Sequence, residues 1–334
     1  MAIAVFTDIH GNILPQRDFR EQTILLNEDY REKKDAALRI LSIKPMVVNW
    51  KGTQFDCSRM HKDIVIVETR PKPNLNLRRA YQNICSKYQI IINSYNNHFT
   101  QLLKARIPFR EEKRLFGSGI NSARLADVKK RYWYRNGEEY GVPSLAVLLL
   151  IDGSGSMAGS RNESAMVSSV ILHEVLKKQG IVHAIAEHRA GFTAPVVEIN
   201  ILVGTNARNE EKFNLLTLSA NGDNRDGLAL FWAEKFLNTY TAGDQKLIIV
   251  LADGEPAHEY DAYYPPVSSK DTANAAVKII KRGTDIIAVA LDDDSDGEYA
   301  CYDALKNIYP SVVSCTDLKR LTGQLFGIIS KNLF

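Results

Sequence analysis

The chain has 334 residues, of which 45% are hydrophobic and 24% are charged, the ordinary balance of a globular protein. At roughly 150 residues per domain, this length predicts about two domains. The net charge of +3 is small for such a length, so neither nucleic acid nor an anionic membrane is expected as a partner.

The cysteines and the amino-terminal residues bear on the compartment. The four cysteines lie far apart and form no Cys-x-x-Cys pair, which predicts neither a zinc site nor a disulfide framework. The start, MAIAVFTD, has neither the basic residues nor the long apolar run of a signal peptide. The longest apolar run, 145–151, is far shorter than the roughly 20 residues that a membrane helix needs. We therefore expect a soluble, cytoplasmic protein.

Residues 1–140 are predicted to form a mixed, mainly helical region of unknown role. Residues 18–44 have helical spacing with mixed surface charge, and 46–49 and 63–68 are typical of short strands. A proline-rich break after Arg70 leads into a helical pattern from about 77 to 105. We place the domain boundary at Gly141-Val-Pro143, where the pattern of elements changes.

Residues 141–334 alternate between strands and helices. The apolar runs 145–151, 246–251 and 285–291 are typical of strands buried on both faces of a parallel sheet. Helical patterns lie between them, and Val196–Val203 is expected to pair antiparallel with residues 181–186. This order predicts an α/β fold with a doubly wound, mostly parallel sheet, in which ligands bind at the carboxyl ends of the strands.

Oxygen-bearing side chains follow the ends of two of these strands. The first strand ends in an Asp-Gly-Ser-Gly-Ser loop, the second in Asp-Gly, and an Asn-rich loop lies between them. Carboxylates and hydroxyls with room for water are the ligands that Mg²⁺ prefers, with Mn²⁺ or Ca²⁺ as alternatives. The predicted metal site comprises Asp152, Ser154, Ser156, Asn224, Asp226 and Asp253.

This set, in this order, resembles the metal-ion-dependent adhesion site of von Willebrand factor A (vWA) domains. The resemblance implies that Asp152, Ser154 and Ser156 ligate the metal, and that Asp253 acts through water. The family commonly has Thr in the middle loop, at the position of Asn224. Asn224 through its carbonyl oxygen and Asp226 through its carboxylate are the two alternatives for that ligand.

The middle loop also resembles a narrower group. Asn224-Arg-Asp-Gly-Leu-Ala-Leu, the later Asp253-Gly-Glu-Pro and the ending Leu321-Thr-Gly-Gln-Leu-Phe are similar to the vWA subunit of cobalt chelatases and related bacterial proteins. That resemblance implies an adaptor for a MoxR/chelatase-type AAA+ ATPase, which grips an acidic side chain of a target protein through Mg²⁺. The chain has no Gly-x-x-x-x-Gly-Lys-Ser/Thr loop, so we expect no catalysis by the chain alone.

Two other functions are carried as alternatives. Asp8 and His10 resemble the opening Asp-x-His of metal-dependent phosphoesterases, but the Gly-Asn-His block which that chemistry requires is missing from the sequence. A stand-alone vWA interaction module, as in extracellular adhesion proteins, is the second alternative.

Three further features have less specific patterns. Asp292 to Asp296 fit the start of a calcium loop, with Asp303 at its twelfth position, although a solvated acidic loop is favoured. The run Lys129 to Arg135 is basic and aromatic, and we expect a strand rather than a nucleic-acid surface. His173 is expected on a helix surface and His183 on a strand, neither of them as a ligand.

Overall fold

The computed structural model describes residues 46–103, 106–140, 145–241, 245–292, 300–317 and 320–332. They belong to one compact unit that starts at Met46. The strands are β1 (Met46–Lys51), β2 (Val65–Arg70), β3 (Arg106–Arg114), β4 (Gly119–Ile120), β5 (Trp133–Tyr140), β6 (Leu145–Asp152), β7 (Val182–Ala190), β8 (Val196–Val203), β9 (Gln245–Ala252), β10 (Thr284–Leu291) and β11 (Val312–Cys315). The helices are α1 (Arg78–Lys87), α2 (Gln89–Leu103), α3 (Ser160–Lys178), α4 (Asp226–Tyr240), α5 (Val267–Lys281), α6 (Ala300–Lys306) and α7 (Leu321–Lys331).

Eight strands form the central sheet in the order β1-β2-β8-β7-β6-β9-β10-β11. Strands β7, β6, β9, β10 and β11 are parallel, and β8 is antiparallel to β7. The prediction of an α/β fold with a mostly parallel sheet is confirmed, including the antiparallel strand.

The side chains of β6 point alternately to the two faces of the sheet, which explains why its apolar run is unbroken. Leu145, Val147 and Leu149 point into a core with helices α1, α2, α3 and α7, whereas Leu148 and Leu150 point into a second core with α4, α5 and α6. Successive side chains of a strand face opposite sides of the sheet, so a central strand between two helix layers must be apolar at every position. The central sheet and the helices on its two faces thus form three layers in the unit that starts at Met46.

Strands from before residue 141 extend this sheet. Strand β2 pairs parallel with β8, and β1 pairs antiparallel with β2. The buried Glu68 of β2 accepts hydrogen bonds from the indole N–H groups of Trp50 and Trp232, each at 2.9 Å. Because buried polar groups are costly unless paired, these bonds fix β2 against α4. The boundary at 141 stays a prediction, and residues 46–103 contribute to the same compact unit.

Helices α1 and α2 occupy the region predicted as one helix from 77 to 105. The helix is interrupted at Tyr88, which leaves helical geometry while its ring packs against the core. Helix α2 contacts the carboxyl-terminal helix through Tyr95, whose ring stacks on Phe326 at 4.1 Å between centroids. His173 is buried, not on the helix surface as predicted, because it faces the central sheet, where its Nδ1 lies 3.0 Å from Nε2 of His183 in β7.

A second, smaller sheet has the order β3-β5-β4 and is antiparallel. The predicted strand in the basic, aromatic run begins at Trp133, and the preceding residues 129–132 are not in a strand. Within the described ranges, no helix has the length and apolar character needed to cross a membrane.

Candidate metal centre

The predicted site residues lie at the carboxyl edge of the central sheet. Asp152 is the last residue of β6, Asp253 directly follows β9, and Asp226 is the first residue of α4. The middle loop, which contains residues 221–225, is held against the loop after Asp152. Two backbone hydrogen bonds join them, from Gly155 N to Gly222 O and from Asn221 N to Gly153 O. Gly222 has φ +91°, and a Cβ there would lie 2.5 Å from the carbonyl oxygen of Ala190, so only glycine fits this approach.

Four of the six residues form one continuous chain of hydrogen bonds. The Ser154 amide donates to Asp152 Oδ1 at 2.8 Å, and the two hydroxyls of Ser154 and Ser156 lie 3.0 Å apart. The Ser156 hydroxyl donates to Asp253 Oδ1 at 2.9 Å. The two strand ends therefore bring two carboxylates and two hydroxyls to one place.

Asn224 is connected to Asp152 on the other side. Its Nδ2 donates to Asp152 Oδ2 at 2.8 Å, and its Oδ1 accepts from the amide of Ala257 at 2.8 Å. The carbonyl oxygen thus faces the backbone of the loop after β9, and the amide orients Asp152. The ligand roles of Asn224 and Asp226 stay predictions.

Asp226 lies deeper and is almost completely buried. Its Oδ2 accepts a long bond of 3.4 Å from the hydroxyl of Tyr309, and its Oδ1 has no hydrogen-bond partner. Among the described residues, Nε2 of the buried His188 lies 4.0 Å from Asp226 Oδ1. Neither ring nitrogen of His188 has a partner, and burial lowers the pKa of His188 to about 4. A neutral imidazole leaves the Asp226 charge uncompensated.

The three carboxyl groups have raised pKa values. Burial raises the pKa of Asp152 to about 6, against the hydrogen bonds from Ser154 and Asn224, which lower it. Burial and the charge of Asp152 raise the pKa of Asp253 to about 6. The pKa of Asp226 is raised well above its usual range, first by burial and then by Asp152. The negative charge at this edge thus exceeds what the neighbouring protein groups neutralise.

Arg161 was not predicted from the sequence. It lies in the first turn of α3, and its guanidinium donates to the carbonyl oxygens of Ser156 at 3.0 Å and Leu291 at 2.9 Å. A third bond, of 3.3 Å, reaches Asp253 Oδ2. No local pattern in the sequence indicates this role, because Asp253 lies 92 residues away along the chain. Arg161 neutralises part of Asp253 but does not contact Asp152 or Asp226 in the bonds described.

The donor set fits a hard divalent cation. Among the described residues, no three His, Cys, Asp or Glu side chains come together as a metal site, so hydroxyls must complete any coordination here. The two serine hydroxyls beside Asp152 and Asp253 provide oxygen donors, and the orphaned Asp226 oxygen adds charge behind them. Oxygen ligands of this kind suit Mg²⁺ or Mn²⁺ and do not suit a soft metal.

The other predicted sites lie partly or wholly outside the described residues. Asp8 and His10 fall in residues 1–45, and the acidic loop falls in 293–299 except for Asp292. Asp292 Oδ1 accepts from the amide of Cys301 at 2.7 Å, near the start of α6. Asp292 thus binds the first turn of a helix, as an acidic residue at a helix amino terminus commonly does.

Solved structures that are similar to part of this chain have TM-scores below 0.5. No model of a protein family matches the chain, and no curated protein matches it. The pilus adhesin SpaC from Lactobacillus rhamnosus GG is similar at 13% identity and a TM-score of 0.45, over 57% of this chain and 31% of the adhesin. Its open conformation gives 14%, a TM-score of 0.46, and coverage of 57% and 30%. The SpRpn10 VWA domain gives 15%, a TM-score of 0.37, and coverage of 54% and 92%.

The chain therefore spans less than a third of the adhesin structures that it resembles. Similarities at this level carry no functional information.

Proposed function

We propose that this chain is a protein-binding module of the vWA type whose binding depends on a divalent cation. The observation that carries the proposal is the cluster at the carboxyl edge of the sheet. There Asp152, Ser154, Ser156 and Asp253 lie in one hydrogen-bonded chain. The negative charge of this cluster is not matched by the surrounding protein groups.

Each residue has a distinct part in this proposal. Asp152 and the hydroxyls of Ser154 and Ser156 would hold Mg²⁺, and Asp253 would add negative charge from the neighbouring strand end. Asn224 orients Asp152 through its Nδ2 bond. When bound, the cation supplies an open coordination position that a carboxylate of another protein can fill.

The finer part of the proposal concerns the partner. We infer that the module is an adaptor, recruiting an acidic side chain of a target protein to a AAA+ ATPase. The support is the sequence resemblance of the middle loop, which reads Asn224-Arg-Asp-Gly-Leu-Ala-Leu, to the chelatase group. Since no nucleotide-binding Gly-x-x-x-x-Gly-Lys-Ser/Thr loop occurs in the chain, hydrolysis of ATP would belong to the partner.

A pull-down of the tagged chain from its native host tests both parts. The samples are wild type with Mg²⁺, wild type with EDTA, and Asp152→Ala with Mg²⁺. Asp285→Ala is the matched control, because Asp285 is exposed at the other end of a parallel strand, in β10. We expect a AAA+ ATPase with wild type and Asp285→Ala, and a target that is lost with EDTA and with Asp152→Ala.

Identical partners in all samples would contradict the cation-dependent function. Cation-dependent capture of a target without any ATPase would contradict only the adaptor role. That second result would favour a stand-alone interaction module.

A further inference from the structure

The small sheet presents an unusual surface in residues 113–135. Of the 15 large hydrophobic side chains that are exposed among the described residues, five lie within positions 115–128. Val128 is 96% exposed and Phe116 is 82% exposed, so almost the whole of each side chain faces solvent. These five side chains are close together in sequence, and exposed apolar patches are typical of interaction sites. The five are Leu115, Phe116, Ile120, Leu125 and Val128.

The same segment has a strong positive charge. Residues 113–135 contain seven basic residues and one acidic residue, a net charge of +6, in a chain whose total is +3. Arg114, Arg124 and Arg131 are paired with Glu111, Glu112 and Asp127 respectively. The remaining cations have no carboxylate partner among the described residues and are exposed; they are Lys113, Lys129, Lys130 and Arg135.

Two features of this surface argue against nucleic acid. Single-stranded nucleic acid is bound by stacking bases on aromatic rings, yet four of the five exposed apolar side chains are aliphatic. The ring of Tyr134 covers Gly119, where a Cβ would lie 2.4 Å from its Cζ, and the half-buried Tyr132 and Trp133 contact each other. These three rings therefore already have neighbours within the protein, and Phe116 is the one exposed aromatic side chain among the five.

The paired carboxylates argue in the same direction. Glu111, Glu112 and Asp127 lie among the basic residues, where a dense polyanion such as DNA or an anionic membrane would repel them. A protein partner presents separate charges, which can pair with the free lysines and avoid these carboxylates.

We propose that residues 113–135 form a second docking surface, which binds a protein segment that carries acidic and apolar side chains. This interaction needs no metal, because none of its residues belongs to the site at Asp152. It goes beyond the cation-dependent function and stands or fails separately from it.

The backbone conformation of two lysines allows their charges to be removed without straining the fold. Lys113 and Lys130 have φ of +62° and +57°, which glycine adopts more readily than lysine. The double variant Lys113→Gly/Lys130→Gly should therefore fold at least as well as the wild type. A second variant, Phe116→Ser/Val128→Ser, removes the two most exposed apolar side chains of this surface.

The experiment measures binding of a fluorescent peptide made of Glu and Leu, by anisotropy, to the full chain. We expect each double variant to weaken binding about tenfold or more. The lysine variant loses two charge pairs with the peptide, and the Phe116→Ser/Val128→Ser variant loses apolar contact with it. EDTA and Asp152→Ala should leave binding unchanged. Ile90→Ser and Lys178→Ala/Lys281→Ala are the controls, since these exposed residues lie on α2, α3 and α5.

Other probes distinguish the proposal from its alternatives. A peptide with Lys in place of Glu should not bind. Tighter binding of oligothymidylate or of phosphatidylserine vesicles, sensitive to the same variants, would identify a nucleic-acid or membrane surface instead. Absence of binding to the Glu-Leu peptide, or equal binding by the variants, would also overturn the proposal.

Discussion

Two clusters of buried charge lie on either side of the middle loop, and they differ in how their charges are matched. On one side, Arg225 is fully buried, stacks on Tyr263 with its guanidinium carbon 4.2 Å from the ring centre, and donates to the carbonyl oxygens of Met60 and Tyr260. It also reaches His61, whose Nε2 lies 2.7 Å from Asp271 Oδ2. On the other side lie Asp152, Asp226 and Asp253.

The charges of the Arg225 cluster are matched within the protein, although Nε of Arg225 has no hydrogen-bond partner. His61 links the guanidinium to the Asp271 carboxylate, and the Tyr263 hydroxyl donates to that carboxylate at 2.8 Å. At the Asp152 edge, three carboxyl groups share one direct ion pair with Arg161. Adjacent residues of one loop, Asn224 to Asp226, thus separate a cluster with matched charges from one that is suited to a cation.

The largest expected effect comes from removing the guanidinium of the Arg225 cluster. Arg225→Met should lower the free energy of unfolding by about 3–5 kcal/mol, because it leaves Asp271 and the carbonyl oxygens buried without their cation. Urea denaturation measures this change. Arg208→Met, at an exposed position, is the control, and a loss below about 1 kcal/mol for Arg225→Met would show that the cluster is not stabilising.

The opposite sign is expected at the metal edge. Asp226→Asn should raise the stability of the metal-free chain by more than about 1 kcal/mol, since it removes a buried charge that lacks a close partner. The same denaturation experiment, run in EDTA, measures it. Destabilisation in EDTA would mean that the Asp226 charge is compensated after all.

The pH dependence should also distinguish the two clusters. The folded-state pKa values of Asp152 and Asp253 are raised to about 6, so these groups hold protons more tightly when folded. Their contribution to stability is present below about pH 4 and is lost as pH rises through 6. Mg²⁺ competes with those protons, so it should raise the melting temperature by several degrees at pH 7.5 and have little effect at pH 5. A Mg²⁺ effect of equal size at both pH values would contradict this account.

The smallest expected effect concerns Asn224. Replacing it with Thr, the residue that the vWA family commonly has there, removes the Nδ2 bond to Asp152 but keeps an oxygen in the loop. We expect the Mg²⁺ affinity to change by less than about tenfold, the size of one ordinary hydrogen bond. Calorimetric titration measures it, and loss of all Mg²⁺ binding would show that Asn224 is itself indispensable.

Much of the fold could be predicted from the sequence because the central strands are buried on both faces. The run from Leu145 to Ile151 can only be a core strand, and its end at Asp152 fixes the edge where ligands bind. The sequence did not show that β1 and β2 join this sheet. These strands lie towards the edge of the sheet, so they are short and contain both polar and apolar residues. The hydrogen bond from Trp232 to Glu68, which anchors β2, joins residues 164 apart in sequence.

The candidate site was predicted as a set, but its internal contacts were not. The spacing of Asp152, Ser154 and Ser156 on one loop is local, so pattern is sufficient to predict it. Arg161 and the orientation of Asn224 depend on tertiary contacts with Asp253 and Ala257, which no local pattern contains.

Titration of the chain with Mn²⁺, followed by electron paramagnetic resonance of the free ion, tests the central claim most directly. The account predicts one site that Mg²⁺ displaces, present in the wild type and in Asp285→Ala, and absent in Asp152→Asn. Mn²⁺ that remains free in the presence of wild type, or that binds Asp152→Asn equally well, would contradict a metal centre at the carboxyl edge of this sheet.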